Sequence, residues 1–133
     1  MGIPKTKGGP GISGVRVIPL LCCAAILVEH AAAATVVVGG EKGWTLGFDY
    51  KKWAAGTKVK RFDTLHFKYD KSQHNVMRVS KADYDSCNIA SPMREFSTGE
   101  DIVKLIEPGT YYYICGLTEH CKLGLKMAIH VHA

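Results

Sequence analysis

The stretch TYYYICGLTEHCKLGLKMAIHV, residues 110–131, decides the fold of this chain. It opens with a β-branched and aromatic run over residues 110–115, which predicts a strand. It closes with an alternation, because apolar residues occupy every second position from 125 to 131 and polar or small residues stand between them. This period of two predicts another strand with one buried face. A short loop that carries a histidine and a second cysteine joins the two strands.

This loop is suited to binding a metal ion. Cys115 and His120 lie five positions apart, so a thiolate and an imidazole can close on a single ion. Cys121 follows His120 directly, and adjacent side chains of an extended chain point in opposite directions. If His120 faces the metal, Cys121 therefore faces away from it and can bridge to Cys87.

A distant histidine is a candidate for the third ligand. His74 begins the run 74–79, where a loop enters a predicted strand and a side chain can be held rigidly. A thiolate with two imidazoles is the equatorial ligand set of a blue-copper site. The spacing alone leaves two alternatives open, which are a zinc site and a disulfide between Cys115 and another thiol.

The rest of the chain is interpreted as short strands separated by turns. Strands are predicted over residues 35–38, 65–69 and 102–106. Only short helical turns are expected, in residues 50–57 and 82–93. Together these features predict an all-β sandwich or barrel with one or two short helical turns. Three further histidines fall on outward strand faces and are interpreted as solvated rather than ligating: His66, His130 and His132.

The first 34 residues have the pattern of a secretory signal peptide. Basic residues precede an apolar run, residues 17–28, and the segment ends in four alanines, residues 31–34. We therefore expect residues 1–34 to be removed and residues 35–133 to form the mature domain, secreted to the extracellular space of the cell wall. Cleavage after Ala34 satisfies the small-x-small rule, and cleavage one residue earlier is nearly as good. No membrane anchor is expected in the mature form.

Composition limits the classes of partner. The full chain has a formal net charge of +5. Removing the leader leaves 14 basic and 11 acidic residues, a net charge near +3 that is spread without a run. Such a mild excess favours acidic surfaces such as cell-wall polymers only weakly, and no nucleic-acid partner is expected. Three cysteines remain, and an odd thiol in a secreted protein requires an explanation such as metal binding.

The motifs of the mature segment resemble those of the plant phytocyanin family, and most of all its plantacyanin, or basic blue, branch. The motifs that carry this resemblance are Gly39-Gly40 with Gly43-Trp44, then His74-Asn75-Val76, then Tyr84-Asp85-Ser86-Cys87, then Tyr112-x-Ile114-Cys115-x4-His120-Cys121-x2-Gly124. The resemblance implies a Greek-key cupredoxin fold. It also implies one type 1 copper bound by His74, Cys115 and His120, and a disulfide between Cys87 and Cys121.

Two positions depart from the family pattern. Phe62 stands where the family usually carries a glycine, ahead of Asp63. Leu125 stands at the axial position, where the family usually has Met or Gln, and leucine has no donor atom. Met127 shares the strand face of Leu125 but lies two residues away, so core packing is the expected role of Met127. A three-coordinate copper and a site that has lost copper both remain possible.

These observations predict a secreted one-electron carrier, since the three equatorial ligands are intact. The sequence contains no evident nucleophile–base pair, so we do not expect an enzyme. Without an axial Met, the site is expected to have a high reduction potential. The alternative is a non-redox extracellular module for signalling or cell-wall binding. The partner is then an unidentified redox protein or a wall component, and we expect a monomer.

Overall fold

The computed structural model describes residues 2–4, 8, 11, 14, 19 and 32–133, so most of the expected leader, residues 1–34, lies outside the described residues. Among the described residues, no helix is long and apolar enough to cross a membrane. The described part of the chain forms eight strands, two short α-helices and a 3₁₀ turn at Gly40–Lys42. The strands and helices are β1 (Thr35–Val37), α1 (Tyr50–Ala55), β2 (Val59–Lys60), β3 (Thr64–Lys68), β4 (Val76–Val79), α2 (Lys81–Ser86), β5 (Arg94–Phe96), β6 (Glu100–Lys104), β7 (Gly109–Ile114) and β8 (Lys126–His132).

The strands form two sheets, which confirms the all-β prediction. The smaller sheet has the order β1-β3-β6, and the larger has the order β2-β8-β7-β4-β5. Strands β1 and β3 run parallel, as do β2 and β8, and the other neighbours are antiparallel. The two strands predicted on either side of the 115–125 loop are neighbours, because β7 pairs with β8 over its whole length.

The core lies between the two sheets and follows the predicted alternation. Leu65 and Phe67 from β3 and Met127 and Ile129 from β8 are fully buried. Trp44 fills the end of this core, and its ring contacts that of Phe67 edge-on at 5.3 Å between centroids. Burial of such large apolar side chains provides most of the stabilisation of the sandwich.

Both short helices begin at a side-chain cap. Asp49 accepts a hydrogen bond from the Lys52 N–H at 2.9 Å, so α1 begins there, and it ends at Gly56 as predicted. Ser80 caps α2 in the same way. Helix α2 covers the outer face of the larger sheet and ends at Cys87, whose sulfur is bonded to that of Cys121. This confirms the disulfide implied by the family resemblance.

Phe62, which replaces the usual glycine, has a left-handed backbone with φ of 75°. An L-residue with a side chain is strained in this region by ~1–2 kcal/mol, whereas glycine is not. The ring gives little in return, because it is 46% exposed and contacts the Arg61 guanidinium on the surface.

Phe62→Gly is therefore expected to raise the free energy of unfolding by up to about 1 kcal/mol, since relief of strain exceeds the extra unfolded-state entropy of glycine. The melting temperature should then rise by at most roughly 4–8 °C. Phe62→Ala is the control, because it removes the ring but keeps the Cβ atom. Equal stabilisation by the two substitutions would show that the exposed ring, and not the backbone, is the source of the strain.

Candidate metal centre

Three side chains from distant parts of the sequence converge at one end of the sandwich. His74 lies two residues before β4, Cys115 immediately follows β7, and His120 lies in the loop between β7 and β8. The Nδ1 atoms of the two histidines are 3.1 Å apart. The Cys115 Sγ atom lies 3.6 Å from Nδ1 of His120 and 4.0 Å from Nδ1 of His74. The structure thus brings together the three residues that the sequence predicts as equatorial ligands.

The spacing of these donor atoms fits a single metal ion. A point at equal distance from the three atoms lies about 2.1 Å from each, and imidazole nitrogen and thiolate sulfur bind such ions at ~2.0–2.3 Å. One soft sulfur and two imidazole nitrogens in a three-membered set match a blue-copper site better than a structural zinc site, which has four protein ligands.

The site is buried on two sides and open on the third. Cys115 is fully buried and His74 is nearly so, whereas His120 is half-buried. Burial, together with the nearby His120, holds the pKa of His74 below its usual value, although the Asp70 carboxylate acts in the opposite direction. His74 is therefore kept neutral near pH 7, which is the form that ligates a metal. The open side is a shallow depression bordered by His120, Leu46 and Leu117.

Asn75 fixes the two loops of the site relative to each other, and sequence reasoning did not assign it a role. Its Oδ1 atom accepts a hydrogen bond of 2.6 Å from the Gly116 N–H, so it joins the residue after His74 to the residue after Cys115. Its backbone oxygen accepts the Trp44 indole N–H at 2.9 Å. The side chain is only 4% exposed. The sequence offered one signal for a role of Asn75, which was its position next to His74 in the His74-Asn75-Val76 motif.

Leu125 is connected through its backbone to both residues of the ligand loop. The Cys115 N–H donates to the Leu125 oxygen at 3.0 Å, and the Leu125 N–H donates to the His120 oxygen at 2.9 Å. The Leu125 side chain is fully buried in the same cluster as Cys115. Met127 is paired with Tyr113 in the β7–β8 ladder and is buried in the core, which confirms its predicted packing role.

The structure also removes one alternative that the spacing left open. Cys87 and Cys121 form a disulfide with a Cα–Cα distance of 5.7 Å. Within the described residues Cys115 is a free, buried thiol. A disulfide at Cys115 is therefore inconsistent with the fold, and the Cys121 side chain points away from the histidine that precedes it.

The other candidate histidines lie away from this site. His130 and His132 are exposed on the outer face of β8, as predicted, with ring centroids 4.7 Å apart. The prediction for His66 was only partly right. Its side chain is half-buried on β3, and its Nε2 atom is buried without a partner in the part of the chain that the structure describes. His66 lies on the middle strand of the smaller sheet, opposite Val37 on β1 and Ile102 on β6, a position that the strand alternation alone does not show.

Comparisons with known proteins agree with this geometry. The family described as "Plastocyanin-like domain" matches residues 44–125. A blue copper protein from Petunia hybrida is 43% identical over 84 residues, which are 63% of this chain and 32% of that protein. Stellacyanin from Toxicodendron vernicifluum is 41% identical over 99 residues, which are 71% of this chain and 92% of that protein. The chain thus spans about a third of the first relative and nearly all of the second.

A solved structure shows the same likeness. Cucumber basic protein, described as a blue copper protein, superposes with a TM-score of 0.65 at 34% sequence identity. The match covers 73% of this chain and 98% of the cucumber chain. It confirms the predicted cupredoxin fold.

Proposed function

Because this chain belongs to the family of plastocyanin-like domains found in phytocyanins, we propose that it is a secreted protein with one type 1 copper that carries single electrons. The proposal rests on one observation. One thiol and two imidazoles converge, with their donor atoms 3.1–4.0 Å apart. Copper, when bound, supplies the one-electron redox change. His74, Cys115 and His120 are proposed as its ligands.

The chain contributes a rigid and dry setting for these ligands. Cys115 is held by the backbone bond to Leu125, and His74 is fixed by its place ahead of β4 and by the neighbouring Asn75. Ligands that cannot move favour rapid electron transfer, because little rearrangement accompanies the change of oxidation state. The half-buried edge of His120 is proposed as the route of entry for the electron.

We propose a carrier rather than an enzyme. The three donor side chains come from the protein, and the buried Leu125 is proposed to fill the axial side. On this proposal no ligand position is left open for a substrate, whereas catalytic metal sites keep one. The redox partner is unidentified, and a monomer is sufficient for the function because each chain contains the complete set of three ligands.

The experiment that tests the function is copper addition to the purified domain. We expect one copper per chain by metal analysis and an intense visible absorption band from the thiolate–copper pair. Zinc is the matched control, because it can occupy the same donors without producing colour. A protein that takes up no copper, or binds it without colour, would contradict the proposal.

A non-redox module for extracellular signalling or cell-wall binding is the second candidate function. The observation that favours it is Leu125, which offers no donor atom where relatives usually have Met or Gln. The mild positive charge is compatible with acidic wall polymers. Failure of copper uptake in the experiment above would favour this candidate.

Leu125→Met is expected to lower the reduction potential of the copper-loaded protein. Leucine gives no axial donor to the oxidised ion and shields the site from water, and both effects raise the potential. A thioether sulfur would stabilise the oxidised state. We expect the equilibrium between the oxidised and reduced protein to shift at least tenfold towards the oxidised form, which lowers the potential by ~59 mV for one electron. Leu125→Gln should lower the potential further, because an amide oxygen is the harder donor.

Leu125→Ile is the control for these variants, because it keeps an apolar side chain of the same size. Voltammetry should place its potential close to that of the unchanged protein. Equal potentials for all four proteins would mean that residue 125 does not lie on the copper axis.

The domain is also proposed to be secreted after removal of a leader. Of the two cleavage positions that the sequence allows, we propose the bond between Ala33 and Ala34, and two contacts of Ala34 support this choice. The Ala34 N–H donates to the Asp63 carboxylate at 2.8 Å, and its oxygen accepts the Thr64 N–H at 2.9 Å. Asp63 is buried, so loss of Ala34 would leave this carboxylate with fewer donors.

Secreted material is therefore expected to begin at Ala34, with its new α-ammonium group beside Asp63. N-terminal sequencing of protein from the medium checks this expectation. A sequence that begins at Met1 would contradict secretion by leader removal. A sequence that begins at Thr35 would leave secretion intact but contradict the role of the Ala34–Asp63 contact.

A further inference from the structure

Two arginines occupy inward positions of the larger sheet. Arg94 on β5 lies directly opposite Arg78 on β4, and Arg78 lies opposite Tyr113 on β7, which lies opposite Met127 on β8. Residues directly opposite each other in a sheet share one face. Tyr113 and Met127 are fully buried in the core between the sheets, so the row lies on the inner face of the sheet. It reaches the surface at the edge strand β5, because Arg78 is half-buried and Arg94 is exposed. Alternation normally places apolar residues at such positions.

Neither arginine is neutralised by the protein. In residues 32–133 the ion pairs are Lys60–Asp63, Lys81–Asp85 and Lys122–Glu119, and none includes Arg78 or Arg94. Like charges directly opposite each other across two strands destabilise a sheet. A like-charge pair that no acidic side chain of residues 32–133 neutralises is expected mainly at functional positions.

Aromatic rings hold both guanidinium groups in place. The Arg78 guanidinium carbon lies 4.4 Å from the centre of the Tyr111 ring, and that of Arg94 lies 5.5 Å from the centre of the Phe96 ring. Stacking uses the flat face of a guanidinium and leaves the N–H groups at its edge available. Two such edges side by side can donate hydrogen bonds to the oxygens of an anion.

A cleft of about 340 Å³ adjoins the pair, between these strands and β6 of the smaller sheet. Lys104 adds a third cation to its lining, against one acid, Glu107. The lining also includes the aliphatic residues Ile102 and Ile106, which are 66% and 52% exposed. The volume is within the range of small-molecule sites in proteins.

We propose that this cleft binds a small organic carboxylate with an apolar body. The carboxylate lies against Arg78 and Arg94, which suit the planar, two-oxygen geometry of the group. The apolar body lies on Ile102 and Ile106. The arrangement explains both the cost of the unpaired arginines and the exposure of two large aliphatic side chains beside them. The site is separate from the copper ligands and does not depend on the proposed redox function.

Three probes test the proposal by calorimetric titration at constant ionic strength: octanoate, 1-octanol and acetate. Octanoate should bind at one site per chain and at least roughly tenfold more tightly than either of the others, because it alone has both the charge and the apolar body. If 1-octanol binds as tightly as octanoate, the cleft is only an apolar groove. Equal binding of acetate would reduce it to a positively charged surface. Either result overturns the proposal, as does tighter binding of a galacturonic acid trimer than of octanoate.

Arg94→Gln supplies the matched variant, and Lys51→Gln on α1 is its control because it removes the same charge outside the cleft. We expect roughly tenfold weaker octanoate binding for Arg94→Gln and no change for Lys51→Gln. Arg94→Gln should not lower the melting temperature of the ligand-free protein, since it relieves the like-charge pair. At the same octanoate concentration, it should reduce the rise in melting temperature that octanoate gives the unchanged protein. A lower melting temperature without ligand, combined with unchanged octanoate binding, would assign Arg94 a purely structural role and overturn the proposal.

Discussion

Cys115→Ser is expected to abolish the intense visible absorption of the copper-loaded protein. The colour requires a thiolate bound to copper, and serine has a similar size but is not ionised near pH 7. Cys115 is also the free thiol of the described residues, so no other sulfur of that kind can replace it. Copper uptake should fall as well, because only the two imidazoles remain as strong ligands. Visible spectroscopy and metal analysis on the same sample measure both effects.

Met127→Leu is the control for this result. Met127 has another buried sulfur close to the site in sequence, but it packs in the core opposite Tyr113. An exchange of similar volume at a core position costs little stability, so the variant should fold and keep its colour. A coloured Cys115→Ser protein, or a colourless Met127→Leu protein, would mean that the ligand assignment is wrong.

Much of this site could be predicted from the sequence because it depends on local patterns. The alternation after Leu125 identifies β8, and the aromatic run before Cys115 identifies β7. These two strands are joined by a short loop, so their pairing follows from proximity along the chain. The place of His74 at a strand entrance was enough to suggest a third ligand, and the structure brings it next to Cys115.

Other features could not be predicted because they depend on contacts between distant segments. Strands β2 and β5 have two and three residues, too few to display a period, and each is defined only by its neighbour in the larger sheet. Strand β5 also begins with Arg94 and Glu95, which are not typical of strands. The inward direction of Arg94 therefore became visible only through its register with Arg78.

The strand predicted over residues 102–106 shows how tertiary contacts move a boundary. It forms two residues earlier, as Glu100–Lys104. The reason lies at Leu105, whose N–H donates to the Asp63 oxygen and whose own oxygen accepts the Phe62 N–H. These bonds tie residue 105 to the turn that precedes β3, so it leaves the regular ladder although its side chain is fully buried.

Removing the disulfide by the double substitution Cys87→Ser and Cys121→Ser is expected to lower the free energy of unfolding of the copper-free protein by about 4 kcal/mol. The bond joins residues separated by 34 positions. Opening a loop of that length gives the unfolded chain this much additional freedom in the chain-entropy model, within a usual range of ~2–5 kcal/mol. Denaturation in urea should show a lower midpoint. Any change in the m-value should come only from a change in the compactness of the unfolded state.

The same double substitution should also weaken copper binding, which a destabilising substitution far from the ligand loop should not do. Cys121 follows His120 directly, and its bond to Cys87 anchors the ligand loop to the end of α2 on the outer face of the sheet. Without that anchor, His120 must be ordered at the moment of binding, so copper affinity should fall while the absorption band keeps its position. Phe62→Ala supplies the comparison, since it changes a surface turn far from the ligand loop along the chain and should leave the affinity unchanged. Unchanged copper affinity in the double variant would show that the Leu125 backbone bonds alone hold His120 in place.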